Sequence, residues 1–293
     1  MTYTIRLKPG DDLQKAFDEA PEFAEIHLEP GVYRQKLMIT TPGLTIQGSG
    51  AGKTVLVWDD HAKKPHPIGW EYNTFRTYTL AVCADSVTIR DLTVANDALH
   101  PEMKGQEVAL SVVGTDFCME NCVLTSTQDT LFVGPLPSDL IGRYEGFLAD
   151  ELRAGYPMKQ RFTRCLIEGT VDFIFGCGQA LFESCEIRSL NDARNIGYVA
   201  APAHGLRQQE GIRFHRCRFT REDGVADGSI FLARPWRDYG IAEFYDCSYD
   251  SHIAPAGFDK WSGTTRDTTA RFREYPLGSA RVSWANREEK EAR

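Results

Sequence analysis

The chain has 293 residues, 42% of them apolar and 25% charged, which is enough for one large core and unlike a disordered or fibrous sequence. Its net charge of −8, with basic residues scattered along the sequence, excludes the electrostatic footprint of a nucleic-acid binder, so a polyanionic partner must be met locally.

The first residues, MTYTIRLKPGDD, lack the basic and long apolar regions of a secretory leader, and no later apolar run is long enough to cross a membrane. As written, the sequence predicts a cytoplasmic protein; a chain whose leader had been removed would read the same and would be secreted. DDLQKAFDEA (11–20) offers an aspartate N-cap, with Leu13, Ala16, Phe17 and Ala20 at helical spacing, and predicts a short helix capping the first turn of the fold. QGSGAGKTVLVW (47–58) contains a GKT, but Gln47 stands where a phosphate loop needs its first glycine and a strand-like run follows, so a turn is expected.

From residue 89 onward one pattern recurs: IRDLTV (89–94), MENCVL (119–124), FTRCLI (162–167), FESCEI (182–187), FHRCRF (214–219) and FYDCSY (244–249). A bulky residue precedes the Cys or Leu by three positions and another apolar residue follows it by two. Successive cysteines of this pattern lie 20 to 43 residues apart with no amphipathic helix between them, which indicates stacked coils. The predicted fold is all-β, a right-handed single-stranded parallel β-helix with a short N-terminal capping helix. Cys122, Cys165, Cys185, Cys217 and Cys247 would then stack as small buried hydrophobes. No CxxC pair, HExxH or paired histidine spacing occurs, so no metal site is expected. Nothing resembling a linker divides the sequence, which reads as one domain over 1–293 with a charged, fraying tail at 286–293.

Two acids stand in apolar surroundings. TQDTLFVG (127–134) carries Asp129 and GTVDFIFG (169–176) carries Asp172, each five residues beyond the last inward residue of its repeat, Leu124 and Ile167. Equal offsets predict neighbouring carboxylates on adjacent coils, pointing outward with Val171 and Phe173 turned inside. At such a separation one pKa should rise and the other fall, giving an acid and a nucleophile or base together. ARPW (233–236) supplies Arg234, whose planar fork suits a carboxylate, and Trp236, whose flat face suits a sugar ring.

GQEVAL (105–110), TQDTLF, GTVDFIFG, LARPW (232–236) and SHIAPAGF…ARFREY (251–274), with GVY at 31–33, resemble the signatures of the pectin methylesterase (pectinesterase) family, in the family's order and over nearly the whole chain. The resemblance implies an enzyme that removes methyl groups from polygalacturonate or oligogalacturonides, a carboxylic ester hydrolase working as a monomer without cofactor, metal or serine nucleophile. It implies Asp172 as nucleophile, Asp129 as general acid and then base, Arg234 as the partner of Asp172, and Gln106 and Gln128 as oxyanion donors. Trp236, Thr74 and Phe132 would contact substrate. Ala233 stands where the family usually has glycine and Gln35 where it often has glutamate. The segment 135–159 is longer than the family's usual connection between the two acids and is expected to reshape the groove.

Two other functions fit parts of this pattern. A lyase or glycosidase could use two acids, though a lyase would call for an acidic calcium cluster that the sequence lacks. A binding module would not need Gln128, Asp129, Asp172 and Arg234 together. If the missing leader is real, the long segment at 135–159 and the reduced thiols point to a short oligogalacturonide in the cytoplasm as substrate in place of wall pectin.

Overall fold

A computed structural model describes residues 3–98, 105–144, 150–153 and 158–287. Three parallel sheets wind around one core, with strands following one another from sheet to sheet as the chain rises. The described strands number ten, seven and eight in the three sheets, the arrangement of a parallel β-helix. The charged residues 288–293 and parts of the long segment, 145–149 and 154–157, lie outside the described residues.

Each repeat turns out to span a corner and not a single strand. Met119, Phe162, Phe182, Phe214 and Phe244 are in register in the ten-stranded sheet. Leu124, Ile167, Ile187, Phe219 and Tyr249 are in register in the eight-stranded sheet. Between them the residue before each Cys or Leu, namely Asp91, Asn121, Arg164, Ser184, Arg216 and Asp246, takes φ of 51° to 55°. That left-handed conformation costs a non-glycine residue about 1–2 kcal/mol. The stack holds it in place, because the amide of each corner donates to the coil above, as from Asn121 to Thr163 O at 3.1 Å and from Arg164 to Glu183 O at 3.0 Å.

The aromatic members stack face to face, with centroids 4.7 Å apart for Phe162 and Phe182 and 4.9 Å for Phe214 and Phe244. The cysteine ladder is present as expected: Cys122, Cys165, Cys185 and Cys217 are buried, Cys247 is half-buried, and all are free thiols. Each thiol meets the carbonyl of the bulky residue one coil away, as Cys217 meets Phe182 O at 3.3 Å. Cys118 lies apart from the ladder and is exposed.

The capping helix spans Leu13–Glu19 with Asp12 as its N-cap, the Asp12 carboxylate accepting from Lys15 N, and it buries Leu13 and Phe17 in the core. Gln35 closes the helix entry from both sides: its Oε1 accepts from Leu13 N at 2.9 Å and its Nε2 donates to Asp11 O at 2.8 Å. A glutamate could make only the first of these bonds, which accounts physically for the amide here. The segment 48–53 is a turn between strands Thr45–Gln47 and Thr54–Trp58.

Candidate active site

The seven-stranded sheet carries the candidate residues. Strands Leu110–Val112, Leu131–Val133, Val171–Gly176, Gly197–Pro202 and Ile230–Ala233 are successive neighbours in it. Leu131 pairs with Ile174, and just ahead of that pair Gln128 bridges Val171. Asp129 and Asp172 therefore hold equivalent places on adjacent coils, as their equal offsets predict, and Asp129 N donates to Val171 O at 3.1 Å.

Simple alternation does not describe the strand around Asp172. Phe173 and Ile174 both face the core, whereas Val171 lies outside the core cluster. The register shifts between Val171 and Ile174, and Asp172 sits at φ 50°, with Asp129 at φ 62°. This bulge turns the acid outward while two successive large residues stay inside. The flanking glycines make room for it: a Cβ on Gly169 would lie 2.3 Å from the Phe173 Cβ, and one on Gly176 would lie 2.1 Å from Val133 O.

Although they lie on the outer face, Asp129 and Asp172 are only 8% and 7% exposed. Arg234 reaches over the intervening coil to Asp172 with Nε–Oδ1 at 2.8 Å and Nη2–Oδ2 at 2.6 Å. The guanidinium lies between the Tyr198 ring, 3.8 Å from its centroid, and the Trp261 ring at 4.1 Å. Tyr198 in turn donates to Asp259 Oδ2 at 3.0 Å. These contacts fix the fork as well as charge it.

Burial raises both carboxyls above the usual aspartate range, which differs from the expected rise in one and fall in the other. For Asp172 the raising effect of burial is opposed by Arg234, through its hydrogen bonds and its charge. Asp129 is pushed well above that range by burial and then by the Asp172 charge. The order is the useful one: Asp172 ionises first and Asp129 keeps its proton longer.

Arg194, which no motif marks, joins the two coils from the turn after strand Glu186–Ser189. Its Nη1 donates to Gln128 Oε1 at 3.0 Å, its Nη2 to Thr170 Oγ1 at 3.2 Å and its Nε to Asp192 Oδ2 at 2.9 Å. With Oε1 so occupied, the Gln128 NH2 group is left to face the acids, and a hydrogen bond from Gln128 lowers the pKa of Asp129. Gln106 stands on the preceding coil, next to Glu107, whose amide donates to Gln128 O at 2.9 Å. The Gln106 side chain is half-buried.

Trp236 is half-buried, edge-on to Phe175 at 5.9 Å. Thr74 opens the short turn Thr74–Arg76, and Phe75 carries that turn onto the same face by packing on Phe132 at 5.1 Å. Phe132 does not fit the expected role of a ring presented to substrate. It is 1% exposed, lodged between Phe75 and Phe175, because Leu136 and Leu140 of the long segment pack on the same cluster.

Comparison with known proteins gives the family and agrees with the fold. The chain is 29% identical over 282 residues to pectinesterase QRT1 of Arabidopsis thaliana, covering 91% of this chain and 66% of the relative, so it spans just under two thirds of that protein. Among solved structures it is similar in fold to carrot pectin methylesterase, with a TM-score of 0.80, 23% identity, and 96% and 86% of the two chains covered. It is similar also to a pectin methylesterase solved in complex with a hexasaccharide, with a TM-score of 0.77, 24% identity, and 96% and 91% covered. The Pectinesterase family model matches residues 10–135 and 147–291, a span that takes in both acids, the glutamines and Arg234, and the chain belongs to the pectinesterase family.

Proposed function

We propose that the protein is a pectin methylesterase, hydrolysing methyl esters of galacturonate units to carboxylates and methanol. The observation that carries this reading is the pair of buried carboxyls in register on adjacent coils, one clasped by Arg234 and the other without an ion pair among the described residues. An ionised Asp172 oxygen attacks the ester carbonyl carbon, and the carbonyl electron pair moves onto its oxygen, where Gln106 and Gln128 amide protons receive the charge. When the tetrahedral adduct collapses, the C–O bond to the methoxy group breaks and the Asp129 proton passes to the leaving oxygen, giving methanol and an acyl-Asp172 anhydride. Water then adds to the acyl carbon while the Asp129 carboxylate takes its proton, and collapse returns Asp172 as the carboxylate with the new galacturonic acid released.

The alternative of glycoside cleavage has no observation in its favour here. Methanol release from highly methylated pectin and from short methylated oligogalacturonides, compared with the Asp172→Asn variant, tests the reading. Release by the unaltered chain that drops at least about 1,000-fold in the variant supports it. A folded protein that releases no methanol from either substrate overturns it.

A further inference from the structure

Glu107 is a buried carboxyl that the proposed chemistry does not use. It is 4% exposed, follows Gln106 in sequence and lies beside Gln128 of the next coil, to whose carbonyl its amide donates at 2.9 Å. Its one side-chain hydrogen bond among the described residues comes from Thr127, whose Oγ1 donates to Glu107 Oε2 at 2.6 Å. Burial raises the Glu107 carboxyl above the usual range, opposed by that bond and by the charge of Arg194. Ionised or protonated, the carboxyl keeps an oxygen that accepts from Thr127, so the tie holds in either state. Thr127 is gripped from the other side as well: its carbonyl accepts from Thr170 N at 2.7 Å and from Thr170 Oγ1 at 3.1 Å, and Thr170 Oγ1 accepts from Arg194 Nη2 at 3.2 Å. Arg194 in turn holds Gln128 Oε1 at 3.0 Å. The polar run therefore starts beside one glutamine and closes on the side chain of the other. Gln106 is fixed on its far side by Ala62 N, which donates to its carbonyl at 2.9 Å.

We propose that Glu107 is a positioning residue for the ester hydrolysis: through Thr127 it sets the spacing of the Gln106 and Gln128 segments, so that both amides meet the same developing oxyanion. The inference rests on the reading of the protein as a pectin methylesterase. Two donors on separate coils serve one oxygen only if they converge on it. The backbone bond from Glu107 N to Gln128 O joins the two coils at one point, and the bond from Thr127 adds a second tie at the same level. A carboxyl costs more to bury here than an apolar side chain would, and its bond to Thr127 is the return on that cost. Oxyanion donation is felt in the transition state and not in the bound ester, so loosening the pair lowers kcat and leaves KM where it is.

Methanol release by Glu107→Ala, by Thr127→Val and by the double variant tests this. Each single substitution is expected to lower kcat about ten-fold with KM unchanged, less than the loss on removing an oxyanion donor outright. The double variant is expected to be no slower than either single one, because both remove the same bond. Glu107→Gln keeps an accepting oxygen for Thr127 and is expected to restore most of the rate. Losses that multiply in the double variant, a change confined to KM, or a glutamine variant as slow as the alanine one would each overturn the proposal. A second readout needs no turnover. In protein carrying isotope-labelled glutamine, the Gln106 and Gln128 side-chain NH2 resonances are expected to shift in Thr127→Val, and resonances that stay in place overturn the proposal. That failure is distinct from the failure of the unaltered chain to release methanol. Thr127 is exposed, so Thr127→Val keeps the test decisive should Glu107→Ala fail to fold.

Discussion

Arg234 holds Asp172 from two coils away, its fork meeting both carboxylate oxygens at 2.8 and 2.6 Å across a neighbouring strand whose Tyr198 ring lies 3.8 Å from the guanidinium. The Trp261 ring also meets that guanidinium, at 4.1 Å. Charge and orientation at Asp172 therefore depend on a residue that touches no other part of the acid pair.

Arg234→Ala should shift the acidic limb of the methanol-release profile upward. The proposed mechanism needs Asp172 ionised, so on that reading the rate falls as pH drops through its pKa. That pKa is already raised by burial and held down by Arg234, and without the arginine it rises further. A pH profile of kcat/KM whose acidic limb stays in place would show that Arg234 does not set the charge of Asp172.

Asp129→Asn should lose methanol release yet gain stability at neutral pH. Below about pH 4 the wild-type carboxyl is protonated both folded and unfolded. As pH rises, the unfolded chain ionises first, so stability falls from about pH 4 until pH passes the raised folded pKa. The asparagine variant escapes that loss, and its Tm at pH 7 should exceed that of the wild type by at least about 2 °C, with the gap closing near pH 3. Melting curves at the two pH values decide the matter; an equal gap at both would contradict the shift.

Arg194→Ala should reduce kcat by about ten-fold with little change in KM, since it frees the Gln128 amide to turn without touching Trp236, the proposed sugar platform. It should also move the whole pH profile upward, because the Arg194 charge lowers the pKa of both acids. Arg194→Lys keeps the charge but not the fork, and is expected to restore the profile more fully than the rate. A KM effect alone would assign Arg194 to substrate binding instead.

Phe132→Ala should cost about 3–5 kcal/mol of stability, the usual loss for a buried phenylalanine, measured as a shift in urea midpoint. A ring that lined the groove would give the opposite pattern, with stability nearly intact and KM raised.

Most of the fold was legible because one coil is one repeat. The spacing of Cys122, Cys165, Cys185, Cys217 and Cys247 carries the stack, and the five-residue offset from Leu124 and Ile167 carries Asp129 and Asp172 to neighbouring places. Backbone conformation was not legible. Nothing about Arg164 or Arg216 announces a left-handed corner, since glycine or asparagine would be the ordinary choice, and the corner is imposed by the ladder on either side. The bulge that sends both Phe173 and Ile174 inward was missed for the same reason.

Within the candidate site, contiguous motifs pointed to Gln128, Asp129, Asp172 and Arg234, which the structure brings together, whereas residues held at single positions were not singled out. Arg194 sits in a turn with no periodicity, and Tyr198 and Trp261 come from different coils and meet only around Arg234. A weak signal existed for Arg194: it is the one cation in SLNDARN, just ahead of the apolar strand Gly197–Pro202, at a level where two acids needed charge nearby. Phe132 was read as a substrate contact, and its burial with Leu136 and Leu140 could not be read from pattern alone.

The corners of the stack have a further consequence for how such an enzyme can change. Ladder bonds beside Asp129, Asp172 and Arg234 run between coils, whereas the described residues 135–144 follow the end of strand Leu131–Val133 and belong to none of the three sheets. A change of length there would fall outside the ladders that hold the proposed reacting atoms. Substrate preference and chemistry can thus drift along separate lines of descent, the first by insertion at the rims of the sheet and the second only by replacement within it.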